Sequence, residues 1–213
     1  MNFDNFSDSI SKIIKLQLPG QIAHYKMAPL ERITALSEIN IEARKPRNAA
    51  VLLLFYPDAA QQTKFVLTLR HTYKGVHSNQ VGLPGGKEER YDISLEATAL
   101  RETTEEIGVP SENIKVHKAL TEVYIPPSNF RVFPFLGTVN YQPEFIPQDA
   151  EVAQIIETNL DDFLDDKSVV SRELTTSYAA KIHVPAFSLN GFTVWGATAM
   201  MLSEVKELLK QVI

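Results

Sequence analysis

Apolar residues recur at helical spacing over Phe6, Ile10, Ile13 and Ile14, predicting an N-terminal helix closed by Pro19-Gly20. From residue 21 to residue 46 the pattern is mixed, with turns marked by Pro29 and Pro46, and predicts an arm packed on the main body. Ala49 to Tyr56 is an apolar run ending at Pro57-Asp58, which predicts a buried strand and a hairpin turn into a second strand over Lys64–Arg70. Leu83-Pro84-Gly85-Gly86-Lys87 reads as a tight loop before a helix that ends at Gly108. Strands over Ile114–Val123 and Arg131–Val139 flank a loop stiffened by Pro126 and Pro127. A strand over Glu151–Glu157 and a short helix near Asp161–Leu164 come next. Ser177–Ala186 and Phe192–Trp195 predict a hairpin about Asn190-Gly191, with Trp195 in the core. Met201, Leu202, Val205, Leu208, Leu209 and Val212 line one face of a closing helix. Strands interleaved with a few helices predict an α/β layered sandwich with a mixed sheet. The expected division is an N-terminal helix and arm over 1–46 and a main domain over 47–213.

A length of 213 residues suits one decorated domain, and 44% hydrophobic with 22% charged residues describes a soluble globular chain with a real core. The net charge of −5, without a long basic stretch, speaks against a nucleic-acid face. The absence of cysteine excludes a disulfide framework and thiolate chemistry. The start, Met1-Asn2-Phe3-Asp4-Asn5, lacks a secretory pattern, and no stretch reaches the ~18 apolar residues of a membrane span. A cytoplasmic location without membrane partners is the expectation.

The candidate chemistry lies in Arg101-Glu102-Thr103-Thr104-Glu105-Glu106. On a helix, Glu102, Glu105 and Glu106 stand at i, i+3 and i+4 and share a face. Each like-charge pair at that spacing costs roughly 0.2–0.5 kcal/mol, and a hard divalent cation with oxygen ligands removes the cost. Arg101, four residues before Glu105, is placed to hold one carboxylate. The alternative is an ordinary solvated acidic face. Gly85 and Gly86 permit close backbone approach to a ligand, and Lys87 adds a positive charge beside them.

These residues resemble the Nudix box: Gly, five residues, Glu, seven residues, Arg-Glu, two residues, Glu-Glu, one residue, Gly and an aliphatic. Gly86, Arg101, Glu102, Glu105, Glu106, Gly108 and Val109 fit it. Asp92 stands at the first Glu position, and eight residues, Ile93 to Leu100, separate it from Arg101. A shorter acid and one extra residue are similar to the coenzyme A pyrophosphatase branch of the Nudix hydrolases. The upstream residues Leu67-Thr68-Leu69-Arg70, His77 and Leu83-Pro84-Gly85-Gly86 are similar to that branch as well, with Asn79 where Gly is usual and Leu83 where Phe is usual. So are Leu18-Pro19-Gly20, Tyr124 to Phe130, His183-Val184-Pro185 and Val194 to Met200.

The resemblance implies a Nudix-like α/β/α sandwich and a Mg²⁺- or Mn²⁺-dependent pyrophosphohydrolase. Its substrate would be coenzyme A or a thioester of it, giving 3′,5′-ADP and 4′-phosphopantetheine or the acyl form. By the same resemblance Glu102 and Glu106 would bind the metal, with Glu105 and the Gly86 carbonyl as further ligands. Glu105, Arg101 and Glu151 would form the catalytic group. Glu151 reads equally as an ordinary acid at a strand start, and Glu144, Asp149 and Glu157 are rivals for its place. Arg70, His77, Lys87 and Ser128 are the candidate substrate contacts, the last three each with a structural alternative. His24, His71, His117 and His183 show no metal-ligand pairing and are expected to be structural. Another nucleoside diphosphate derivative as substrate, or a catalytically silent nucleotide sensor, are the competing readings. The arm packs either within its own chain or across a homodimer; the sequence leaves both open.

Overall fold

The computed structural model describes residues 1–71, 80–174 and 182–213. The chain opens with helices α1 (Phe3–Ile13), α2 (Gln21–Tyr25) and α3 (Leu30–Glu38). Four strands follow, β1 (Arg47–Pro57), β2 (Thr63–Arg70), β3 (Val81–Gly82) and β4 (Gly85–Lys87), and then helix α4 (Leu95–Ile107). Strands β5 (Lys115–Ala119), β6 (Val123–Ile125), β7 (Phe130–Thr138) and β8 (Val152–Asn159) lead to helix α5 (Leu160–Leu164). Strands β9 (Val169–Leu174), β10 (Ile182–Leu189) and β11 (Phe192–Trp195) precede the last helix, α6 (Gly196–Leu209).

The main sheet runs β3-β2-β1-β7-β5, with β4 on β1, β6 on β7 and β8 on β2. β1 pairs with β7 in parallel and with β2 and β4 antiparallel, so the sheet is mixed. Alternation along β1 sorts its side chains between two cores, as the period of two requires. Ala49, Leu53 and Phe55 join Phe6, Ile10, Phe65, Leu202 and Val205, so α1 and α6 cover that face. Ala50, Leu52, Leu54 and Tyr56 join Ala99, Ile107 and Val109, so α4 covers the other. Helices on both faces of a mixed sheet make the expected α/β/α sandwich. Each fully buried Leu or Phe in these layers contributes about 1.5–3 kcal/mol.

Several elements differ from the sequence expectation. Helix α1 ends well before Pro19; Gly20 instead caps the start of α2 with φ +59°. The arm is helical and packs within its own chain: the Ala23 carbonyl accepts from Ser203 Oγ of α6, and Arg32 donates to the Tyr124 carbonyl. Its key is Glu204 of α6, fully buried, which accepts from the Gly20 and Thr121 N–H groups, both at 2.9 Å, and from Thr121 Oγ1 at 2.6 Å. Buried His24 stands 3.6 Å from the same carboxylate. Thr121 lies in the break between β5 and β6, where one strand over Ile114–Val123 was expected. Gly85–Lys87, expected as loop, forms β4 because its backbone ladders onto Ala49–Val51. Strand β9 was not expected: its exposed, charged residues carry no clear alternation. Ser177 to Lys181, expected as strand, lie outside the described residues.

Candidate active site

Helix α4 is delimited by local chemistry. Ser94 caps its start, accepting from the Ala97 N–H at 3.1 Å, and Gly108 ends it in the left-handed region at φ +76°. Thr98, Ala99, Thr103 and Ile107 face the core, which brings the Glu102–Glu106 edge against β4. There Glu102 occupies the space that a side chain on Gly86 would take: a Cβ at Gly86 would overlap the Glu102 carboxylate.

Arg101 organises this edge. Its Nε and Nη2 donate to the two oxygens of Asp92, each at 2.9 Å, and its Nη1 donates to Glu102 at 2.8 Å and to Glu105 at 3.0 Å. Nη2 also reaches the Lys87 carbonyl at 3.1 Å. Asp92 in turn accepts from the Glu89 N–H and from Thr98 Oγ1. The Arg101 fork, first of all, holds Asp92 well below the usual carboxylate range. Asp92 thus anchors the arginine that spaces two glutamates. Sequence reasoning assigned Asp92 no such task, because the contact depends on how residues 88–94 fold back on α4.

Glu106 sits deeper, with its side chain 4% exposed. One oxygen accepts from the Gly85 N–H at 3.0 Å; the other faces Arg70 Nη2 at 3.4 Å, long beside the ~2.7–2.9 Å of a charge-assisted bond. Burial raises its pKa to about 7, against the opposing pull of Arg70 and the Gly85 N–H. Glu102 is also pushed up by burial, against the pull of Arg101, and Glu105 and Glu151 add to the rise. Glu151 arrives from a separate element. β2 pairs with β8 through a bulge beside Arg70, and Arg70 Nη2 stands 3.7 Å from the Glu151 carboxylate. A bulge of this kind re-aims side chains at a sheet end.

The rival acid Glu157 is committed elsewhere, accepting from Tyr56 Oη at 2.7 Å. Burial, then Glu157 itself, pushes that tyrosine hydroxyl far up. Glu144 and Asp149 are exposed. Lys87 is exposed, with Nζ 3.3 Å from Glu89. Ser128 lies in the turn between β6 and β7, where its carbonyl accepts from Arg47 and its buried hydroxyl finds no partner among the described residues. No hydrogen bond or ion pair among the described residues joins Ser128 to the carboxylates. His77 and Asn79 lie outside the described residues. Leu83 is buried in the core shared with α1 and α6, so replacing the usual Phe there is a matter of packing. His117 bonds Thr138, and the exposed His183 stands near Glu173.

Among the described residues, no three His, Cys, Asp or Glu side chains close around a common point as a finished metal cage. The donor chemistry fits a hard divalent cation all the same. The side chains are carboxylates, Glu106 is buried yet short of donors, and arginines stand against both ends of the acidic edge.

A family model described as NUDIX domain matches residues 44–178. Nudix hydrolase 15, mitochondrial, of Arabidopsis thaliana is 31% identical over 163 residues, covering 74% of this chain and 57% of its own length. The uncharacterized Nudix hydrolase NudL of Yersinia pestis (strain Pestoides F) is 31% identical over 161 residues, covering 76% of this chain and 79% of its own. The chain spans only 54% to 59% of the length of three of its curated relatives, Nudix hydrolase 15 among them. A crystal structure of a Nudix hydrolase from M. smegmatis shares the fold, with TM-score 0.55 and 18% identity over 79% of this chain and 88% of that one.

Proposed function

This chain belongs to the Nudix family, and on that premise we propose that it hydrolyses the diphosphate bond of coenzyme A or its thioesters in a metal-dependent reaction. Water adds across the bond, giving 3′,5′-ADP and 4′-phosphopantetheine or its acyl form. The observation that carries the reading is the meeting of Glu106, Arg70 and Glu151, from three different elements, beside the Glu102 edge.

In this proposal Glu102 and Glu106 hold Mg²⁺ or Mn²⁺, with Glu105 and the Gly86 carbonyl completing the set. A bound divalent ion supplies Lewis-acid polarisation, water activation and a template for the phosphates. Arg101 is a positioning residue, since Asp92, Glu102, Glu105 and the Lys87 carbonyl already take up its donors. Glu151 and Glu105, both about half exposed, are the groups that accept the proton of the attacking water. Arg70 holds a substrate phosphate through its planar fork, and His77, Lys87 and Ser128 contribute further contacts.

The choice of coenzyme A rests on the segments around Leu67–Arg70, His77 and Leu83–Gly86. Of the two departures there, Leu83 is absorbed by the core. Asn79 keeps a second reading in play, another nucleoside diphosphate derivative. The test is incubation with coenzyme A and Mg²⁺, with 3′,5′-ADP followed by chromatography and a Glu106→Gln control. Product that disappears in the control supports both substrate and site. Turnover of a different nucleoside diphosphate derivative alone would move the substrate. Silence across the whole panel would leave a binding protein.

A further inference from the structure

The arginine at the end of β2 stands where a second cation is wanted. Arg70 Nη2 lies 3.4 Å from Glu106 Oε1 and 3.7 Å from Glu151 Oε2, so one guanidinium spans two carboxylates from α4 and the start of β8. Glu106 Oε2 is already held by the Gly85 N–H, which leaves Oε1 as the oxygen that Arg70 covers. Both Arg70 distances are longer than the ~2.7–2.9 Å of a committed charge-assisted bond. The contrast with Arg101 is direct, since that arginine makes its four carboxylate bonds at 2.8 to 3.0 Å. Arg101 is locked. Arg70 is loosely held and one-third exposed.

We propose that Arg70 is an exchangeable stand-in for the metal: it neutralises Glu106 and Glu151 in the metal-free protein and yields them when a divalent ion binds. The inference rests on the proposed metal site and adds to it an order of events. Metal entry displaces the guanidinium from Glu106, and the released fork is then available to a phosphate of the substrate. Arg70 and the metal therefore oppose each other in the empty protein and cooperate once an anionic substrate is present. Nothing covalent changes; only the partner of the guanidinium does. The side chain can exchange because the Arg70 backbone is fixed independently, its N–H donating to the Gln80 carbonyl at 3.0 Å and its strand laddered to β8.

Mn²⁺ binding to the protein without nucleotide, read by the electron paramagnetic resonance of free Mn²⁺, tests this without turnover. Removing a unit positive charge from ~6 Å of a divalent ion in a water-like dielectric tightens binding about tenfold. Arg70→Gln is thus expected to bind Mn²⁺ about tenfold more tightly than wild type, with Arg70→Lys, which keeps the charge, near wild type. In saturating Mn²⁺ the same Gln variant is expected to bind 3′,5′-ADP more weakly than wild type. Equal or weaker Mn²⁺ binding by Arg70→Gln, while wild type binds the ion, overturns the exchange and leaves the metal site standing. Wild type that binds no Mn²⁺ overturns the site and the exchange together. A melting curve of each variant identifies loss of fold, and Arg70→Met then serves as the second charge-removing variant under the same criteria.

Discussion

A Cβ on Gly86 would overlap the carboxylate of Glu102, standing 2.7 Å from its Oε1 and closer to its Oε2. The atoms in the way are the far end of a flexible side chain, so the fold can absorb the change by moving Glu102 aside. Gly86→Ala is therefore expected to melt near wild type and yet to lose activity about a hundredfold, the scale of a 1 Å misplacement. Gly85→Ala should behave in the opposite way. Gly85 has φ +148°, and its Cβ would overlap the Ala50 carbonyl and lie 2.5 Å from Val51 Cα. The obstacle is backbone, so a loss of more than about 2 kcal/mol is expected in urea unfolding. If both variants lost stability equally, the assignment of Glu102 to the Gly86 space would fail.

Asp92 holds Arg101 through two 2.9 Å bonds, and its side chain is only 3% exposed. Asp92→Ala removes two of the bonds of the Arg101 fork while Glu102, Glu105 and the Lys87 carbonyl keep theirs, and the expected cost is about 1–3 kcal/mol. Because the folded pKa of Asp92 is depressed, its contribution is complete above its ordinary value of 3.8 and is lost as pH falls. The acid limb of the stability curve should therefore flatten in the variant. Asp92→Glu is not expected to rescue function, since one added methylene must fit a closed clamp. A variant Asp92→Ala that unfolds like wild type at every pH would contradict the clamp.

Glu106 titrates in the other sense. Its folded pKa is raised from 4.5 to about 7, so between those values the folded state holds a proton that the unfolded chain has released. Stability of the metal-free protein should fall as pH rises through that window. Glu106→Gln removes the titration and should raise the melting temperature of the metal-free protein at about pH 8, by the equivalent of about 2–3 kcal/mol. The gain should vanish near pH 4, and activity should drop about a hundredfold. Melting curves with chelator at the two pH values decide the matter; a variant less stable than wild type at high pH would refute the buried-charge account.

Glu204 ties the arm to the sheet. Replacing it with Ala strands the Gly20 N–H, the Thr121 N–H and the Thr121 hydroxyl, each at about 1–3 kcal/mol when buried. Glu204→Ala is expected to lose at least about 3 kcal/mol by urea unfolding and to loosen α2, seen as faster amide exchange at Ala23 and His24. Glu204→Gln, which keeps an acceptor, should lose less. Unchanged exchange in the Ala variant would show that the arm is held by other contacts.

Much of the fold was legible because its signals are local. The Asn190-Gly191 hairpin was readable from one dipeptide, and both residues adopt the positive φ that such a turn needs, +49° and +81°. The β1–β2 hairpin was readable from an apolar run broken at Pro57-Asp58, and it forms with Phe55 opposite Phe65. The helical arm was harder to read. No residue of α3 is fully buried: Ile33 packs against the core only from half-burial, and the docking of the helix depends on partners such as Tyr124, 92 residues away. Strand β4 was hidden for a similar reason, because Gly85 and Gly86 look like loop until β1 supplies the ladder.

By itself the sequence determined the acidic helix, its Gly108 end and the spacing of Glu102, Glu105 and Glu106. Those features depend only on 3.6-residue periodicity and on neighbours within a few positions. The tertiary structure alone decided that Glu151, not Glu157, stands beside Arg70 and Glu106. The β2–β8 pairing shifts register at Arg70 and brings the head of β8 to the site, while Glu157, opposite Val66, is taken by Tyr56. The two acids are six residues apart, one just before β8 and the other within it. Which one meets α4 is set by a ladder between segments some 80 residues apart, and a pairing of that range leaves no mark in the composition or periodicity of either segment.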